Sequence, residues 1–394
     1  MPFDVAAIQQ SLKDEGLDGW LLYDFHGSNP IAARMLGTSS SGKMTTRRWF
    51  YLVPSSGEPR GLVHAIERHT LDALPGRTTA YAGRQQLEAG LTQLLGGMKR
   101  VAMEYSPECA IPYISRIDAG TIESVRKRGI DVLSSGDLVQ RFEAAWDERA
   151  LATHQEASAA LYRVKDRAFE AIAQRCRNDI PTTEFEIQGL MAGWFKDEGL
   201  ISDSDPVVAA QENAGNPHYL PTAARSRRIG RDELVLLDLW AKKAGNPAAV
   251  YADITWVGFT GHAVPEEMDR VFKAVAGARD AAARLTQDSA RSHKDLRGWQ
   301  VDRAARAVLE GAGYGEQILH RTGHNLGRDV HGNGVHMDDY ESHDDRRLLP
   351  GTGFTIEPGL YFSTFGVRSE INVFHGEHEA QITGPVQTEI LRLL

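Results

Sequence analysis

Two aspartates in consecutive apolar segments are the first residues whose types and spacing suggest chemistry. Asp238 ends the segment ELVLLD, and Asp253 lies inside the next one, VYADITWVGF. An ionised carboxylate in apolar surroundings costs several kcal/mol unless it is paired or bound to a metal ion. Either aspartate alone is more simply explained as a turn or a helix cap, but two on neighbouring strands favour a shared metal site.

A glycine-rich segment with three histidines follows. Residues 320–331 read HRTGHNLGRDVH, and glycine lets the backbone approach a ligand while imidazoles face it. We predict functional roles for His324 and His331. For His336 and His343 we expect solvated loop positions without a role.

Two further carboxylates lie near the C-terminus. Glu357 ends an apolar strand in the segment TIEPGLY, just before a Pro-Gly turn. The segment VRSEINV predicts a strand whose period of two puts Arg368, Glu370 and Asn372 on one face. A buried polar face of this kind requires a partner.

Together these residues form a set of oxygen and nitrogen donors. Four carboxylates and one imidazole suit manganese, cobalt, zinc or iron and do not suit copper(I). The four negative charges balance two divalent cations and leave room for a hydroxide between metals about 3.5 to 4 Å apart, as in hydrolytic metal pairs. The sequence therefore predicts a two-metal hydrolytic site.

The order of these donors resembles that of the pita-bread metallopeptidases, which include prolidase, aminopeptidase P and methionine aminopeptidase. The resemblance covers roughly the last 200 residues and rests on several short motifs in their usual order. The matching segments are LVLLD, YADITWVGF, GHNLGRDVH, TIEPGLY and VRSEINV.

The resemblance implies a role for each donor. Asp238 would bind one metal, His324 and Glu357 the other, and Asp253 and Glu370 would bridge the two.

The resemblance also implies groups that act on the substrate. His218, in NPHYLPT, and His331 would flank the substrate, orient the scissile carbonyl and stabilise the oxyanion. Glu357 would also carry the proton from the attacking water to the leaving nitrogen. Arg368 would hold Glu370 or a nearby backbone group.

Proline-directed cleavage is the activity that the resemblance favours, because prolidase and aminopeptidase P share an N-terminal module that methionine aminopeptidase usually lacks. We expect an Xaa-Pro dipeptidase that uses a metal-bridging hydroxide and two divalent ions, Mn²⁺ first, with Co²⁺ and Zn²⁺ as alternatives. An aminopeptidase P acting on longer peptides and a non-catalytic binding protein remain alternatives. The resemblance also implies a homodimer.

The chain departs from the family pattern at two positions. The family often has Asp-x-Gly at the first ligand, but Trp240 stands where that glycine would be. Val250 occupies the position of a family tyrosine, and Tyr251 is one residue off. Any proton transfer that depends on the tyrosine hydroxyl must use another group here.

The elements that position these residues predict an α+β chain. Residues 1–141 alternate strands and helices as a smaller α/β domain. Residues 142–178 contain no Gly or Pro and predict a helical linker that opens the catalytic domain. Residues 179–394 predict a pita-bread domain in which helices pack outside a curved antiparallel sheet.

Composition narrows the class of protein further. At 394 residues the chain exceeds one ordinary core, and a net charge of −9 without a strong basic block disfavours nucleic acid and anionic membranes. Two distant cysteines suggest neither a disulfide framework nor a thiolate zinc site. Without a recognisable signal peptide or spanning segment, we expect a cytoplasmic protein. The pair Arg47–Arg48 could bind a peptide carboxylate, although a solvated loop is the commoner setting for such a pair.

Overall fold

The chain divides into two compact units, Met1–Ala144 and Ala145–Leu394. The structure is a computed structural model that describes residues 3–38 and 45–394. The long helix expected within residues 142–178 is Glu148–Arg177, which belongs to the second unit.

The first unit is a six-stranded sheet with helices on both faces. Its strands are Gly19–Asp24 (β1), Trp49–Pro54 (β2), Arg60–His64 (β3), Arg77–Tyr81 (β4), Arg100–Met103 (β5) and Asp131–Ser134 (β6). Its helices are Val5–Asp14 (α1), Pro30–Met35 (α2), Arg84–Leu94 (α3), Ala119–Arg126 (α4) and Gly136–Val139 (α5). The strand order is β4-β3-β2-β1-β5-β6, and β2 runs antiparallel to both of its neighbours while the other pairs are parallel.

The apolar run of β1 follows from its burial on both faces. Trp20 and Leu22 pack in one core cluster with α1, whereas Leu21 and Tyr23 pack in another with α3. A strand that is covered on both sides reads as a continuous apolar segment rather than an alternating one.

The second unit combines four long helices with three sheets. Its helices are Glu148–Arg177 (α6), Glu184–Asp197 (α7), Glu266–Ser292 (α8) and Gly298–Gly311 (α9). Its strands are Leu200–Ile201 (β7), Val207–Ala210 (β8), Leu234–Lys243 (β9), Ala252–Phe259 (β10), Asn325–Leu326 (β11), Thr352–Ile356 (β12), Gly359–Tyr361 (β13), Gly366–Arg368 (β14), Ile371–His375 (β15), Ala380–Ile382 (β16) and Leu391–Arg392 (β17). They form the sheets β17-β10-β9-β7, with β8 also paired to β9, then β11-β12-β15-β16, and the pair β13-β14.

The period of two along β9 positions the first aspartate. Leu237 and Leu239 pack against α6 and α7 on one face, while Leu234 and Leu236 pack against α8 on the other. Asp238 continues the second face, because side chains of a strand alternate between its faces. Its antiparallel neighbour β10 follows the same rule.

The predicted strand over residues 367–374 is wrong in one respect. It is two strands, because β14 pairs with β13 and β15 pairs with β12. Ser369 and Glu370 leave the ladder between them, where Glu370 N–H donates to the carbonyl of Thr255 at 3.2 Å. The change of partner turns the chain from one sheet to another at the site.

Local signals elsewhere agree with the structure. Thr183 and Glu186 form a capping box at the start of α7, as the spacing of Thr and Glu in TEFE favours, with bonds of 3.2 and 2.9 Å. Both cysteines are free thiols. Within residues 3–38 and 45–394, no helix combines the length and apolar character that crossing a membrane requires.

Candidate metal centre

Two adjacent strands supply the first part of the site. Asp238 on β9 pairs with Thr255 on β10, so Asp253 and Thr255 share the face of the sheet that carries Asp238. Thr255 Oγ lies 3.2 Å from Asp238 Oδ1 and 2.8 Å from Glu370 Oε2. The threonine therefore links the strand carboxylates to the segment between β14 and β15.

The imidazole comes from the residue before β11. The backbone N–H of His324 donates to Thr355 Oγ at 3.0 Å. Its Nδ1 lies 3.2 Å from the carbonyl of Asn325, so a proton on Nδ1 leaves the lone pair of Nε2 facing the carboxylates. Nε2 is 3.2 Å from Glu357 Oε1 and 3.6 Å from Asp253 Oδ2.

The predicted donors converge, although not equally tightly. Asp253, His324 and Glu370 are buried, and each offers a ligand atom within 4.8 Å of the other two. Glu357 joins this group through His324. Asp238 lies beside it, with Oδ2 hydrogen-bonded to Arg368.

Two carboxylate oxygens in this group have the surroundings expected of cation ligands. Asp253 Oδ1 and Glu370 Oε1 are buried and accept no hydrogen bond from any residue within 3–38 and 45–394. A buried carboxylate oxygen without a partner is expensive, and a divalent cation is the partner that oxygen donors of this kind suit. The donor set therefore fits a metal ion on the evidence of its own contacts.

Burial and mutual repulsion shift the pKa values of the acids in opposite directions. Burial, and then the neighbouring carboxylates, raise the pKa of Asp253 and of Glu370 well above their ordinary values. Burial alone would raise the pKa of Glu357 as well, but the hydrogen bond and charge of His324 lower it. One carboxylate thus stays ionised beside two that need a positive charge to do so.

Arg368 has a different partner from the expected one. Its guanidinium donates to Asp238, to Thr255 Oγ at 3.0 Å and to the hydroxyl of Tyr361 at 2.9 Å. It reaches Glu370 only through Thr255. The predicted support of Glu370 is therefore indirect.

The remaining predicted residues divide between the site and its surroundings. The ring of His331 meets that of His324 edge-on, with centroids 4.3 Å apart. The charge of His324, and then burial, lower the pKa of His331 to about 3, although part of the residue stays open to solvent. His218 is exposed, and among the described residues its side chain makes no hydrogen bond or ion pair to the donors. Asn372 supports the site by bonding the backbone of Asp253 in both directions, at 3.0 and 2.7 Å.

The prediction for His336 is wrong, whereas His343 is exposed as expected. His336 is only 1% exposed. Its Nδ1 accepts the backbone N–H of Asn325 at 3.2 Å, and the backbone N–H of His336 donates to the Asp344 carboxylate at 2.8 Å. These bonds hold the ring in the interior, in contact with Asn325, the residue after His324.

Thr255 and Tyr361 contact the site or its arginine, and His320 contacts Tyr361, but none of the three carried an assignment from sequence. Thr255 could have been found from its position two residues after Asp253 on the same face. Tyr361 donates its hydroxyl proton to His320 Nε2, at 2.6 Å, while its oxygen accepts from Arg368. Tyr251, the nearest residue to the missing family tyrosine, is instead buried in a separate apolar cluster with Trp146 and Leu326.

The chain is similar in sequence to a known protein family and to curated peptidases. Residues 156–377 match metallopeptidase family M24. The chain is 30% identical to an Xaa-Pro dipeptidase of Lactobacillus delbrueckii subsp. lactis over 208 residues, which cover 52% of this chain and 51% of the relative. It is also 30% identical to the Xaa-Pro dipeptidase of Lactobacillus helveticus, over 48% of this chain and 47% of the relative. The chain thus spans about half the length of the curated relatives it matches.

Solved structures resemble the chain over nearly its whole length. The dipeptidase PepE of Mycobacterium ulcerans superposes with a TM-score of 0.72 at 21% identity, covering 99% of this chain and 96% of the other. The prolidase of Pyrococcus horikoshii OT3 gives a TM-score of 0.61 at 20% identity, covering 98% and 99%. These likenesses confirm the fold predicted from the sequence.

Proposed function

Because the chain belongs to metallopeptidase family M24, we propose that it is a metal-dependent peptidase that hydrolyses the Xaa-Pro bond of dipeptides. The observation that carries the proposal is the buried group of Asp253, His324 and Glu370 with two unpartnered carboxylate oxygens. The relatives named Xaa-Pro dipeptidase support the substrate class. The catalytic assignment of residues 179–394, the cytoplasmic location and the homodimer are parts of the same proposal.

Five side chains would hold two divalent ions, Mn²⁺ first, with Co²⁺ and Zn²⁺ as alternatives. Asp238 would bind one ion, His324 and Glu357 the other, and Asp253 and Glu370 would bridge them. The free oxygens of the two bridging residues support this assignment. When bound, such ions lower the pKa of a water nucleophile and polarise the scissile carbonyl.

The protein's own groups would move the proton and orient the substrate. Glu357, whose Oε1 lies 3.2 Å from His324 Nε2, accepts the proton of the attacking water and passes it to the proline nitrogen as the C–N bond breaks. His331 and His218 orient the carbonyl and stabilise the oxyanion. Tyr361 supplies a phenolic hydroxyl near the site, and this hydroxyl is hydrogen-bonded to Arg368 on one side and to His320 on the other.

Arg368 would keep Asp238 ionised and in place. Arg368 is 5% exposed, and its guanidinium bonds to Asp238 directly. A buried charge pair of this kind is costly to break from one side only. The arginine therefore acts through Asp238 and Thr255 rather than on the substrate.

The deciding experiment measures proline release from Ala-Pro and cleavage of Ala-Pro-Ala in the presence of Mn²⁺, Co²⁺ or Zn²⁺. We expect turnover of the dipeptide to exceed that of the tripeptide. The reverse preference would support aminopeptidase P, which cuts the same bond in longer peptides.

Metal content separates the enzyme from a non-catalytic binding protein. Mass analysis of the metal-saturated chain should give about two ions per chain, and Asp253→Asn should reduce both content and turnover. A chain that binds no divalent ion and cleaves neither peptide would overturn the proposed function.

A further inference from the structure

The first unit contains a cavity of about 810 Å³ that the proposed peptidase site does not use. Its lining residues all belong to Met1–Ala144. They include Tyr23 on β1, His64 at the end of β3 and Tyr81 at the end of β4. The cavity therefore opens at one edge of the sheet.

The topology of the sheet makes this edge a favourable place for a ligand. Strands β1, β3, β4, β5 and β6 all point the same way, and the chain crosses from β4 at one end of the sheet to β5 beside β1. Helix α3 starts directly after β4, and Asp118 caps α4, so both helices begin beside the cavity. In open α/β sheets, ligands bind at the carboxyl ends of strands where the direction of winding changes.

The walls of the cavity are partly aromatic. The rings of Tyr23 and Phe50 lie 4.9 Å apart, and those of His64 and Tyr81 meet edge-on at 5.0 Å. Phe25 lies in the lining and is 43% exposed. Such walls suit a flat apolar group, because ring faces and edges provide contact area at low entropic cost.

More cationic than anionic side chains line the cavity. Arg48 and Arg84 line it, and neither forms an ion pair with any residue that the structure describes. The acids of the lining are already engaged. Glu88 pairs with Arg128 at 2.6 Å, and Asp118 accepts two bonds of 2.8 Å from Thr121.

We propose that this cavity binds a small organic anion, in which a carboxylate or phosphate group is attached to an aromatic body. Arg48 and Arg84 bind the anionic group, since guanidinium forms bidentate bonds to carboxylate and phosphate. The ring lies against Phe25 and His64, because Tyr23 and Phe50 are each only 2% exposed. A positive cleft in a chain of net charge −9 concentrates anions where the rest of the surface repels them.

The test is calorimetric titration of the full chain with phenyl phosphate, phenylacetate, inorganic phosphate and benzyl alcohol. We expect one or both aromatic anions to bind, inorganic phosphate to bind at least tenfold more weakly, and benzyl alcohol not to bind. The comparison of phenyl phosphate with phenylacetate distinguishes the two anionic groups. The double variant Arg48→Gln, Arg84→Gln should lose at least tenfold in affinity.

The control variant is Arg68→Gln, which removes an exposed arginine of the same unit that does not line the cavity. It should bind as the unaltered protein does. Failure of both aromatic anions to bind would overturn the proposal, as would equal binding of benzyl alcohol or undiminished affinity in the double variant. The four-ligand comparison needs no variant, so it decides the question even if the double variant does not fold.

Discussion

Glu370→Gln is expected to make the metal-free protein more stable while removing its response to metal. In the unaltered chain, Glu370 Oε2 accepts from Thr255 at 2.8 Å, but Oε1 is buried without a partner and faces Asp253. Without a cation the raised pKa values of Asp253 and Glu370 show that the two carboxyls cannot both stay ionised at low cost. Replacing one carboxyl with a neutral amide removes that cost and gives Asp253 a donor. Relief of one unsatisfied buried acceptor is worth about 1–3 kcal/mol.

Metal is expected to stabilise the unaltered chain and to leave the stability of Glu370→Gln almost unchanged. A cation that binds only the folded state stabilises it by about 2.7 kcal/mol at one hundred times its dissociation constant. For a unit the size of Ala145–Leu394, each kcal/mol shifts the melting temperature by about 2–4 °C. Mn²⁺ should therefore raise the melting temperature of the unaltered chain by about 5–11 °C, and that of Glu370→Gln by about 1 °C or less.

The assay is differential scanning calorimetry of the chelator-treated protein, with and without Mn²⁺, following the transition that responds to metal. Asp302→Asn is the matched control, because Asp302 is a fully buried carboxylate whose two oxygens each accept a backbone N–H, from Thr322 and Asp339. It should lower the melting temperature and leave the metal response intact. A metal-free Glu370→Gln protein that is less stable than the unaltered one, or that keeps the full metal response, would refute the reasoning.

Three further predictions follow from single contacts. Tyr219→Phe should lower the free energy of unfolding by about 1.5–3 kcal/mol, because the hydroxyl of Tyr219 donates to the fully buried Glu184 at 2.5 Å. Urea denaturation measures this free energy, and an unchanged midpoint would contradict the prediction. Trp240→Gly should raise kcat/KM for Leu-Pro relative to Gly-Pro by about tenfold. Trp240 is the strand partner of the proposed ligand Asp253, and its indole N–H donates to Asp203 at 2.7 Å. An unchanged ratio would exclude this tryptophan from the wall of the substrate site. Glu104→Gln should gain stability relative to the unaltered chain as pH rises above about 4.5. Burial raises the pKa of Glu104, so above this pH the carboxyl ionises in the unfolded chain before it does in the folded one, and the unaltered protein loses stability. Unfolding free energies measured from pH 4.5 to 7 check the sign, and a flat difference would contradict it.

Alternation along two strands carried much of what sequence could predict about the site. The apolar runs around Asp238 and Asp253 predicted neighbouring strands, and β9 and β10 pair in antiparallel register. The same rule misled over residues 367–374, because a period of two cannot reveal that a strand changes partners midway. His336 failed for a related reason, since its inward position depends on bonds to Asn325 and Asp344.

Local composition and the alternation of side chains were enough to predict the donor types, their order along the chain and the strands that carry them. The packing of distant elements was needed to show that, among the described residues, Asp253 and Glu370 each have one buried oxygen without a hydrogen bond, and that Arg368 bonds to Asp238, 130 residues away. It also decided that Arg48 and Arg84 share a cavity. The physical reason is that such contacts arise when separate elements pack together, and no local pattern specifies which polar atoms then find partners.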